Sequence, residues 1–272
     1  MNNNNRSHIL DLQKIDIDIK EGVLGDASME KEATYILNRK YKCPVCGHEI
    51  LSPAVRTGKV RTVGSDTDLR PRFEQVDSLK YGIVLCPNCG YAAYNKDFKD
   101  ILDRQKALVR EKVTPGFKYN PPELVITYDD ALARYRIALA NCMVIGAKNS
   151  RTANVALRLG WVIRGKIESL DKAIPGYEAE VKKLEAEEDK FLKVAYQGFT
   201  KAREVEEYPI AGMDEPTLDF LIGALSVRFG EFNVASKLLS NILLNKNATD
   251  RMKDKARDLK EEITAKMKEQ EG

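Results

Sequence analysis

Histidine is nearly missing from this chain, with two in 272 residues, His8 and His48. No Ser/His/Asp or Cys/His arrangement can be assembled from so few, and nucleophilic hydrolysis has no residues behind it. Long apolar runs are also lacking. Nothing approaches the roughly 18 residues a bilayer span needs, so no membrane association is expected. Nor is there an excess of one charge: 44 Lys and Arg stand against 41 Asp and Glu, a formal net charge of +3. Any nucleic-acid reading must therefore rest on a local patch. Met1 to Asn5 are followed by no apolar h-region, which argues against a secretory signal. Cysteine occurs five times, four in pairs and one alone. That is not a disulfide framework; it fits thiols held by metal in a reducing compartment, and a cytoplasmic location is expected.

What is present is more specific. Two matched hooks, Cys43-Pro44-Val45-Cys46-Gly47 and Cys86-Pro87-Asn88-Cys89-Gly90, stand 39 residues apart. Each lets backbone N–H groups point at two thiolates, and together they offer four sulfurs for a tetrahedral Zn²⁺ site. A glycine follows each second cysteine, where a tight turn needs a positive φ. The separation exceeds the roughly 15–20 residues usual for zinc ribbons, so the hairpin is lengthened or a loop is inserted. Four protein ligands leave no open position, which makes the site structural. Iron in a rubredoxin-like shell is the rival, since that class uses the same hooks. His48 is read as capping a turn or facing solvent.

Residues 1–40 read as a leader, with a brief strand-like alternation at Ile15, Ile17 and Ile19 and a short helix near 27–38. Residues 41–112 read as a Cys₄ zinc-ribbon or rubredoxin-like β module with a following helix near 98–113. Three prolines, Pro115, Pro121 and Pro122, mark a linker at 113–127. From 128 to 272 the pattern is helical throughout. Leu218, Leu221, Ile222, Leu225 and Phe229 share a face, as do Met252, Ala256, Leu259, Ile263 and Met267. Gly230 is placed to stop a helix. A small-large-small spacing recurs as Ala131/Tyr135/Ala138, Ala195/Phe199/Ala202 and Ala235/Leu239/Ile242. It suggests a degenerate tetratricopeptide-like stack of six or seven helices. Cys142 and Trp161 fall on packing faces. The predicted fold class is α+β, mostly α, a small Cys₄ β module followed by a tetratricopeptide-like helical domain.

Between the hooks, Arg56, Lys59, Arg61, Arg70 and Arg72 outnumber Asp66 and Asp68. Read functionally, the five cations form an anion or nucleic-acid surface with Phe73 as a stacking platform. Read structurally, Asp66 and Asp68 pair with neighbouring arginines and pin a long loop; this reading is preferred.

Three segments taken together resemble a bacterial family known as domain of unknown function 2225. They are Tyr41 to Gly47, Asp66 to Phe73, and Lys80 to Ala93; the helical stretches 157–164 and 220–235 are similar as well. Ser78 and Gly82 depart from the family pattern, which has proline and a larger polar residue there. The resemblance implies a cytosolic bacterial protein with zinc knuckles and tetratricopeptide-like helices, and no established activity. The expected role is a non-catalytic, zinc-binding adaptor that takes another protein or peptide in a helical groove. The alternatives are a nucleic-acid-binding zinc ribbon using residues 55–73, or an iron electron carrier.

Overall fold

The computed structural model describes residues 26–271 with residue 123 excepted, and side chains from 29 to 266. The alternation at Ile15, Ile17 and Ile19, His8, and the side chain of Met267 lie outside these bounds. Among the described residues the chain is mostly helical with three small two-stranded antiparallel sheets. No described helix is long and apolar enough to cross a membrane.

The chain divides into two units that interleave along the sequence. The first takes residues up to 60 and 75–146, the second takes 61–74 and 147–272. Within the first, a short helix α1 (Asp26–Ala33) leads into β1 (Ile36–Lys42), so the helix read at 27–38 ends early. β1 pairs with β2 (Glu49–Val55) from Ile36↔Val55 to Lys42↔Glu49. β5 (Ile83–Leu85) pairs with β6 (Ala92–Tyr94), and each cysteine hook is the tip of one of these hairpins. α2 (Asp103–Lys112) begins five residues later than the pattern suggests. Phe98 is instead buried in the core against Tyr41 and Tyr91.

α3 (Tyr128–Val144) belongs to this first unit, although its pattern matches the later helices. Thr127 and Asp130 form a reciprocal capping box at its start. Ala131, Tyr135 and Ala138 lie on its buried face, and the helix packs mainly on β5 and β6. Parts of 113–127 also pack inside this unit. Ile126 is buried with its N–H bonded to the Tyr81 hydroxyl, and Tyr119 accepts a bond from Arg134 Nε at 3.1 Å.

The second unit holds a hairpin, β3 (Thr62–Ser65) and β4 (Pro71–Phe73), and the helices α4 (Asn149–Ser169), α5 (Tyr177–Val205), α6 (Glu215–Arg228), α7 (Phe232–Leu244) and α8 (Asp250–Glu271). α4 lies along α5 because small residues sit at the crossing. A Cβ at Gly160 would fall 2.7 Å from Leu192, and one at Gly198 would fall 2.9 Å from the Ala153 Cβ. α6 is buried almost all round and packs on α5, α7 and α8. It ends at Gly230, whose φ of +75° allows Glu231 N–H to reach back to the Ser226 carbonyl at 2.8 Å. Ala195, Phe199 and Ala202 on α5 and Ala235, Leu239 and Ile242 on α7 are all buried.

Candidate metal centre

The two hooks are built by the same hydrogen bonds. Cys43 N–H bonds the His48 carbonyl at 2.9 Å, and Gly47 N–H returns to the Cys43 carbonyl at 2.9 Å. Cys86 N–H bonds the Tyr91 carbonyl at 2.9 Å, and Gly90 N–H returns to the Cys86 carbonyl at 3.0 Å. Gly47 and Gly90 take φ of +76° and +74°, a conformation a side chain would strain. His48 thus closes the first turn through its backbone while its side chain is exposed.

This geometry brings Cys43, Cys46, Cys86 and Cys89 together, with all four sulfurs within 4.8 Å of one another. The cross-hook pairs Cys43–Cys89 and Cys46–Cys86 are each 3.6 Å apart, far beyond a disulfide bond. Ligands about 2.3 Å from a central ion at tetrahedral corners stand about 3.8 Å apart. The sulfurs therefore fit a four-thiolate shell and could hold a metal ion. Their acid–base chemistry agrees. Hydrogen bonds from Cys86 and then Cys89 bring Cys43 down to about 2, while the bond to Cys43 pushes Cys86 up to about 12 and raises Cys89 as well. One thiolate is thus stabilised at its neighbours' expense. A metal cation held among them would relieve the conflict by taking all four as thiolates.

The carbonyls of both turns are held from outside. Arg110 on α2 donates Nε to the Val45 carbonyl at 3.1 Å. Thr114 Oγ1 donates to the Cys89 carbonyl at 3.0 Å, and Asn141 Nδ2 on α3 donates to the Gly90 carbonyl at 2.9 Å. These contacts fix the turns that aim the sulfurs. Cys142, the fifth cysteine, is buried in α3 apart from the cluster.

Of the five basic residues between the hooks, Arg70 and Arg72 are held in ion pairs. Arg56 and Lys59 belong to the first unit, Arg61, Arg70 and Arg72 to the second. Arg56 Nε bonds the Ile36 carbonyl at 3.1 Å, and Lys59 and Arg61 are exposed. Arg70 is 3% exposed and grips both Glu168 carboxylate oxygens at 3.0 Å. Arg72 is held by Asp66 and by Glu168 at 2.7 Å. Asp66 does pair with a neighbouring arginine, as the structural reading expects, but the main partner of Asp68 lies elsewhere. Arg164 on α4 reaches Asp68 at 2.6 Å, Asp66 at 2.9 Å and Glu188 at 2.7 Å. Trp161 Nε1 donates to Asp68 at 3.0 Å. Asp66 and Asp68 thus anchor the hairpin to α4.

Burial raises the Asp66 carboxyl, but hydrogen bonds from Arg72 and then Arg164 outweigh it and hold it below its ordinary 3.8. Glu168 is likewise raised by burial and brought below 4.5 by Arg70 and then Arg72. Sequence reasoning missed Trp161, Arg164 and Glu168 as partners of the hairpin. Their signal was the i, i+3, i+7 spacing, which sets all three on one face of α4.

A family profile described as "Uncharacterized protein conserved in bacteria (DUF2225)" matches residues 36–263. An uncharacterized protein of Borreliella burgdorferi is 26% identical over 110 residues, a stretch that covers only 38% of this chain and 38% of that relative. No solved structure matches.

Proposed function

Starting from the fact that this chain belongs to the DUF2225 family of bacterial proteins, we propose that it is a cytoplasmic, zinc-binding, non-catalytic adaptor between proteins. One observation carries the reading, the convergence of four sulfurs from two like turns into a set sized for one tetrahedral ion. Cys43, Cys46, Cys86 and Cys89 would hold Zn²⁺, and with every position taken by protein the ion would serve folding and not a substrate. Binding on the order of 10–16 kcal/mol would then be coupled to folding of the first unit. The tetratricopeptide-like helices α4–α8 would supply the surface for a protein or peptide partner.

The nucleic-acid reading has less behind it, because Arg70 and Arg72 are committed to Glu168 and Asp66. Elemental analysis of the purified chain tests the metal. One equivalent of zinc in a colourless preparation is expected, and a red preparation holding iron overturns that assignment. For the adaptor role, a protein captured from the native cell should re-form a stoichiometric complex with the purified chain. Recovery of RNA instead, lost steeply with salt and on Arg56→Ala or Arg61→Ala, would replace the adaptor with the nucleic-acid reading.

A further inference from the structure

The four sulfurs are not equally accessible. Cys43, Cys86 and Cys89 are 2%, 0% and 1% exposed, while Cys46 is open to solvent. Cys46 faces a shallow cavity of about 660 Å³ whose lining includes Lys42, Lys99 and Arg110 and no carboxylate. Across the hooks its sulfur stands 3.6 Å from that of Cys86. A reagent can reach one sulfur, through a cationic mouth, with a second thiol waiting behind it.

We propose that Cys46 is a site of thiol–disulfide exchange with small anionic disulfides, and that Cys86 resolves the mixed disulfide. The Cys46 thiolate attacks one sulfur of RS–SR, forming Cys46–S–S–R and releasing RS⁻. The Cys86 thiolate then attacks the Cys46 sulfur, forming the Cys46–Cys86 disulfide and releasing the second RS⁻. Two protein thiolates give up two electrons, the small disulfide takes them, and no further reactant is needed. The gap must close to about 2.05 Å, and Cys46 lies on the exposed turn where least packing opposes the shift. Cys43 and Cys89 are equally close to each other but shielded, and Cys142 is buried. The inference rests on the tetrathiolate reading in one respect: once two of four ligands are oxidised, the set can no longer hold its ion.

The test uses the full chain as purified, with its metal content measured first. Dithiodipropionate is the anionic probe and cystamine the cationic one, each rate divided by that of the same reagent with 2-mercaptoethanol. Mass mapping should find the first adduct on Cys46 and then a Cys46–Cys86 disulfide, with metal released in step. At low salt the anionic probe should be faster by about tenfold or more, an advantage that fades as salt is added. Lys42→Glu with Lys99→Glu leaves every sulfur in place and should reverse the preference. A first adduct on any other cysteine, a Cys43–Cys89 disulfide, or equal normalised rates at low salt would overturn the proposal. If the chain arrives without metal yet forms the same disulfide with the same charge preference, the exchange site stands and the zinc reading falls.

Discussion

At Gly198 an added Cβ would sit 2.9 Å from the Ala153 Cβ and 3.5 Å from the Asn149 carbonyl oxygen. Neither neighbour is the end of a flexible side chain, so α4 and α5 would have to separate. Gly198→Ala is expected to destabilise by about 1–3 kcal/mol, read as a drop of several degrees in Tm. Cys86→Ser should abolish stoichiometric metal binding while Cys142→Ser leaves it unchanged, as elemental analysis of both variants would show. The cysteines could be read from sequence because a hook states its own backbone requirement: two sulfurs, a turn and a glycine within five residues. Gly82 could not. Its lack of a side chain makes room for the Tyr135 hydroxyl, which donates to the Leu79 carbonyl at 2.9 Å, and nothing local announces a tyrosine 53 positions away.

Among elements, the β3–β4 hairpin depends most on partners remote in sequence. Leu69 adopts a φ of +67°, strained by about 1–2 kcal/mol for a residue with a Cβ. It is compensated by packing on the cluster of Phe220, Leu239 and Leu259. Arg164→Ala would remove the cation shared by Asp66, Asp68 and Glu188; Asp66 keeps Arg72 and Glu188 keeps Arg228, so the loss, about 1.5–3 kcal/mol, falls mainly on Asp68. Urea unfolding should show it, with faster amide exchange across residues 61–74. Arg164→Lys should rescue little, because an ammonium cannot span three carboxylates as the guanidinium does. The alternation Asp66, Asp68, Arg70, Arg72 is visible in sequence, and so is the α4 face bearing Trp161, Arg164 and Glu168. Local periodicity places each set on its element but cannot match one to the other.

For the whole molecule, the lowered carboxyls make stability depend on pH in one direction. Asp66 and Glu168 titrate below 3.8 and 4.5 in the folded chain, so their contribution is complete above those values. It is lost as pH falls through the folded values. Melting of the second unit should be flat from neutral to about pH 5 and decline below about pH 4, and Asp66→Asn should weaken that decline. A strong chelator at neutral pH is expected to raise amide exchange in β1, β2, β5 and β6 while α6 and α7 keep their protection. The helical content and the strand-borne cysteine hooks were legible in the sequence because 3.6-residue periodicity and hook spacing are local signals. The assignment of α3 to the first unit was not, since its apolar face suits a sheet as well as a helix.

The chain passes between its units at residues 60/61, 74/75 and 146/147. A single breakpoint at 146/147 keeps the first unit whole but carries 61–74 away with it, so no single breakpoint can deliver the second unit intact. A cut within 113–127 parts α3 from the strands it covers. It also leaves residues 61–74 in a different polypeptide from α4. Exchange by recombination would need three simultaneous junctions, so the two units should be inherited together and should resist being shuffled onto other proteins.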